Sequence, residues 1–89
     1  MADRTTSTVF YPSTDPTILR GKTNASDNDT FTIPYGQLKD CMVSSQDDND
    51  AIVSADTSGS VVTLGCIDDA GATVSVDFDI LFECIIRVQ

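Results

Sequence analysis

Histidine is missing from this chain, and only five of its 89 residues are Lys or Arg. Without an imidazole, the Cys-His and Ser-His arrangements that activate a nucleophile are excluded, and nothing in the sequence positions Lys22 or Lys39 as a base. The three cysteines, Cys41, Cys66 and Cys84, stand too far apart for a CxxC zinc pair. Their odd number leaves one over in any disulfide scheme, and the expectation is three reduced thiols packed as small hydrophobes. There is no P-loop and no GxGxxG, and the five glycines are isolated. No apolar run approaches the roughly 20 residues that span a bilayer. Residues 1–8 are polar and lack a secretion signal's apolar stretch, so the expectation is a soluble protein made in the cytoplasm. Catalytic residues, metal, cofactor and small-molecule substrate are all expected to be absent.

What the chain has in quantity is aspartate: thirteen, with a single glutamate, for a net charge of −9. Such a balance argues against nucleic acid, whose phosphates need cations, and against an anionic membrane surface. The charge is uneven. Residues 1–22 carry Arg4, Arg20 and Lys22 against Asp3 and Asp15, whereas residues 40–79 carry nine aspartates and no cation. That asymmetry suits contact between the amino-terminal segment of one copy and the acidic part of a neighbour.

The strongest pattern lies at the carboxyl end. From Ala72 to Val88 every even-numbered residue is apolar, including Val74, Val76, Phe78, Ile80, Phe82, Cys84 and Ile86. Period 2 predicts one long β-strand over 72–89 with this set facing the core. On the other parity, Thr73, Ser75, Asp77 and Asp79 belong in water, but Leu81 and Ile85 leave an apolar stripe that needs a cover. The amino-terminal segment or a second subunit would supply it.

Upstream, turn residues punctuate short strands. The reading places an edge strand at Val9–Tyr11, strands at 18–23 and 30–33, and strands at 41–45, 51–55 and 60–67. A single helical turn is allowed at 35–41, and turns are expected at 24–29, 56–59 and 68–71. The predicted class is all-β, a small antiparallel β-sandwich or barrel over residues 12–89, preceded by an extended amino-terminal arm over 1–11. A domain of this size has little core, so oligomerisation is the expected extra source of stability.

Three acidic groupings could suggest chemistry. Asp77 and Asp79 would stand about 7 Å apart on one face, compatible with a glycosidase carboxylate pair, but a solvated row raises neither pKa. Asp47-Asp48-Asn49-Asp50 and Asp27-Asn28-Asp29 lack the calcium-loop pattern and read as turn chemistry. The sequons at Asn24 and Asn28 are discounted without a secretion signal.

With its polar start Met1-Ala2-Asp3-Arg4-Thr5-Thr6, its hairpin through Val61-Val62-Thr63-Leu64 and Asp69-Ala70-Gly71-Ala72, and its alternating terminal strand, the chain is similar to small β-sandwich or β-barrel virion proteins of tailed viruses, particularly capsid decoration and minor capsid proteins. The resemblance implies assembly in the host cytoplasm into the virion, a homo-oligomer, and a terminal arm gripping the major capsid protein or another virion protein. The residues expected to carry partner contacts are Arg4, Thr5, Thr6, Val9, Phe10 and Tyr11 in the arm, and Leu81 and Ile85 on the final strand. Two other readings are a cell-surface or carbohydrate-binding module and an acidic DNA-mimic inhibitor.

Overall fold

The computed structural model describes residues 2–46, 52–68, 70–74 and 76–87. Among these residues seven strands form two sheets: β1 (Val9–Phe10), β2 (Ile18–Ala25), β3 (Thr30–Thr32), β4 (Gln37–Ser45), β5 (Ile52–Ser58), β6 (Val61–Ile67) and β7 (Phe78–Arg87). One sheet has the order β1-β2-β7-β4 and the other β3-β6-β5, with every ladder antiparallel. The predicted all-β sandwich is what forms. β7 lies between β2 and β4, and Phe78, Ile80, Phe82, Cys84 and Ile86 alternate inward and are buried.

Opposite them stand Phe31 and Ile33 and the inward face of β6, Val62, Leu64 and Cys66. Phe10, Phe31 and Phe82 form the aromatic centre, with ring centroids 4.6 Å apart for Phe31 and Phe82 and 5.6 Å for Phe10 and Phe82. Gly21 makes that centre possible. It pairs with Phe82 across the ladder, and a Cβ there would sit 2.6 Å from Phe82 Cζ and 2.1 Å from the Val9 carbonyl oxygen. No side chain fits that gap.

The final strand is shorter than the alternation predicts: it begins at Phe78, not at Ala72. Thr73 instead bridges to Ile67, and the Val74 N–H donates to the Cys66 carbonyl, so this stretch belongs to the edge of the other sheet. Val76 is 72% exposed despite its even number. The helical turn expected at 35–41 is absent, because Gln37 already opens β4. A bulge between Leu38 and Asp40 shifts the register there, so Leu38 and Cys41 are both turned inward although their numbers differ in parity. β5 continues to Ser58, where a turn was expected over 56–59; the reversal is the two-residue link Gly59-Ser60, with Gly59 at φ 61°.

Residues 2–10 run from the edge of one sheet to the edge of the other. Asp3 bridges in parallel to Thr30, a 3-10 turn follows at Thr5–Ser7, and Val9–Phe10 pairs with Gly21 and Lys22. The segment read as an extended arm is therefore laid against the domain in this chain. On the opposite side, β4 and β5 run beside each other along a second seam without forming a ladder, tied at one end by the Leu38 N–H donating to the Gly59 carbonyl.

Candidate functional site

The residues expected to contact a partner divide into two places. Arg4 and Thr5 face the domain itself. Asp29, buried in the loop between β2 and β3, accepts at one oxygen from the Ala2 N–H (3.0 Å) and at the other from Arg4 Nε (2.8 Å) and the Ser26 N–H (3.0 Å). The loop can present this carboxylate because Asn28 adopts φ 70°, a conformation Asn tolerates. Arg4 extends a second nitrogen to Asp77 at 3.0 Å. Burial alone would raise the Asp29 pKa, but the donors from Ser26, Ala2 and Arg4 outweigh it and hold the carboxyl below its usual range. Thr5 Oγ1 donates to Asp3 and accepts from the Thr32 N–H. Thr6 is exposed, and Phe10 turns into the aromatic centre.

Val9, Tyr11, Leu81 and Ile85 come together on the outer face of the four-stranded sheet. Ladder register explains it: Val9 lies beside Lys22, Lys22 beside Leu81, and Leu81 beside Ser44, while Ile85 pairs with Ile18 further along β7 on the same face. Tyr11 is held by its N–H donating to the Arg20 carbonyl. Val9 and Met42 are each 56% exposed, Tyr11 42% and Ile85 39%. A groove of about 610 Å³ crosses this face between Tyr11, Arg20, Met42, Leu81 and Glu83. The charges beside it are paired across strands, Arg20 with Glu83 at 2.8 Å and Lys22 with Asp79 at 3.5 Å. The centre of the face is thus apolar and locally neutral on a strongly acidic chain.

Met42 was not among the expected contacts. Alternation within Cys41-Met42-Val43 signals that it points away from its neighbours, which places it outside once Cys41 is known to face in. Asp29 was read only as a turn residue, and no local signal marks it as an anchor, because its partners Ala2 and Arg4 lie 27 and 25 positions away.

The acidic and basic groups on this face are spent on one another. Asp77 is engaged by Arg4, while Asp79 accepts from Asn24 and Lys22, which lower its pKa. Lys22 is ion-paired to Asp79 and Lys39 sits at the β4 bulge, so neither addresses a nucleophile. Among the described residues no three His, Cys, Asp or Glu side chains are grouped to hold a metal, and Asp27 spends an oxygen on the Cys66 N–H. The acidic run 47–50 lies outside the described residues.

The chain matches no known protein family, no curated protein and no solved structure.

Proposed function

We propose that this chain is a non-catalytic virion structural protein, a decoration or minor capsid subunit, which associates with further copies of itself through the outer face of the β1-β2-β7-β4 sheet. The observation that carries the assembly reading is the convergence of Val9, Tyr11, Leu81 and Ile85, from opposite ends of the sequence, on that one face. A chain of charge −9 repels its own copies, and the repulsion is least where charges already cancel, as they do around Leu81. Apolar area flanked by satisfied polar groups is also how subunit contacts are composed. The virion part rests on the sequence's resemblance to small β capsid proteins, with the major capsid protein as the lattice on which the oligomer sits.

Leu81→Asp tests the contact. The wild type is expected to sediment as an oligomer and the variant as a folded monomer, by light scattering with circular dichroism as the check on folding. The same assembly state for both would overturn the reading. Recovery of the protein from purified intact particles by mass spectrometry tests the virion assignment separately.

A carbohydrate-binding module is the second reading, favoured by one feature: the groove sets an exposed Tyr11 ring beside Arg20, Ser44 and Glu83. Retention on a polysaccharide array, lost in Tyr11→Ala, would favour it. The DNA-mimic reading gains no such support, since Asp29, Asp68, Asp77 and Asp79 spend oxygens on bonds within the chain.

A further inference from the structure

Two of the three thiols are neighbours. Cys41 on β4 and Cys84 on β7 are direct partners across the ladder, and both side chains turn to the inner side of the sheet. Their sulfurs are 2.6 Å apart, whereas Cys66 stands on β6 in the opposite sheet. Directly paired residues of an antiparallel ladder have Cα atoms about 4.5–5.5 Å apart, which lies inside the range a disulfide spans.

We infer that Cys41 and Cys84 are an oxidisable pair that closes into a cross-strand disulfide stapling β4 to β7, with Cys66 left as a thiol. The oxidant is a small disulfide such as oxidised glutathione. The Cys41 sulfur, only half-buried, attacks one glutathione sulfur, loses its proton and releases one glutathione thiol. Cys84 then loses its proton and attacks the Cys41 sulfur of the mixed disulfide, releasing the second thiol. Two protein thiols are oxidised and one glutathione disulfide is reduced to two thiols. The hydrogen bond with Cys41, together with burial, pushes the Cys84 pKa up in the reduced pair, so the half-buried Cys41 is the thiol that attacks first. Burial and the nearby Asp27 and Asp29 push the Cys66 thiol up to about 11, which keeps it unreactive.

The pair closes a loop between positions 43 apart in sequence, so the staple restricts a large part of the unfolded chain. Its neighbours in the next rung are Met42 and Glu83, which line the outer groove, so oxidation also pins the floor of that face.

The test incubates the folded protein with oxidised glutathione at pH 8.5, alkylates remaining thiols after denaturation, and maps the products by mass spectrometry. Cleavage before aspartates places Cys41, Cys66 and Cys84 on separate peptides. The expected result is a loss of two hydrogens, alkylation of Cys66 alone, and a joined peptide pair containing Cys41 and Cys84. Tm should rise by on the order of 10 °C and return on reduction. Cys66→Ser should keep the gain and Cys41→Ser should lose it. Three alkylated cysteines, a glutathione adduct persisting on Cys41, a bond to Cys66 or a bond between two chains would each overturn the inference.

Discussion

The junction around Asp29 and the outer face around Leu81 use the same kinds of side chain for opposite ends. At Asp29 a buried carboxylate gathers Ala2, Arg4 and Ser26, so both of its oxygens are hydrogen-bonded within the chain. Around Leu81 the ion pairs lie at the surface, more than a third exposed at each carboxylate, and beside the half-buried Leu81 the side chains of Val9, Tyr11, Met42 and Ile85 are exposed. Burial makes the difference. A carboxylate withdrawn from water holds its donors tightly because losing one leaves a stranded charge, whereas exposed pairs contribute little and leave the face available. The first region holds the amino terminus to the fold, and the second leaves an apolar face exposed, the one proposed above for contact between copies.

Asp29→Ala should show the largest effect. Removing the carboxylate leaves the Ala2 and Ser26 amides without their acceptor and Arg4 with only Asp77, for a loss of about 3 kcal/mol in urea unfolding. Association through the outer face should be unchanged at concentrations where the variant is folded. If Asp29→Ala altered the assembly state and left stability alone, the two regions would have exchanged roles.

Acid should sharpen the contrast. The Asp29 carboxyl is held below its ordinary value in the folded state, so its contribution is complete above an unfolded pKa near 3.8 and disappears as pH falls through the folded value. Asp79, lowered by Asn24 and Lys22, behaves the same way. The urea midpoint should be level from neutrality to about pH 5 and fall below about pH 4. Asp29→Asn should flatten part of that fall; an unchanged slope would mean the carboxylate contributes nothing through its charge.

The smallest effect belongs to Arg20→Ala. Its ion pair with Glu83 is exposed, so unfolding should change by under about 1 kcal/mol. The variant leaves Glu83 uncompensated on the face, and association measured by light scattering should weaken at low salt and recover as salt is raised. Weakening that salt does not relieve would point to lost packing by the arginine stem.

How far the sequence reveals these regions follows from the range over which each signal acts. The buried row Phe78 to Ile86 is plain in the alternation because one central strand keeps a strict period of two. The same alternation continues through Val74 and Val76, yet there the chain is crossing between sheets, and Val74 follows β6 through its bond to Cys66. Periodicity cannot tell a strand from a crossover of similar composition. In β4 the bulge after Leu38 inverts the parity in mid-strand, which hides the first half of a nine-residue element. Asp29 is invisible for a third reason: its role is set by residues brought to it only by the completed fold. Leu81 and Ile85 were legible as a stripe, but their union with Val9 and Tyr11 required the register of β1 on β2 and of β2 on β7.

The way the two sheets meet at their sides has a consequence for how copies of the chain can meet one another. An open strand edge offers a row of amides and carbonyls to any passing extended chain, and growth along it has no natural end. Here the long rims, β4 and β5, are turned toward each other, and β4 is further broken by its bulge. Of the other two, β1 is two residues long and β3 is already occupied by Asp3. Among the described residues no long rim is left open to copy, which disfavours edge-to-edge growth into fibres.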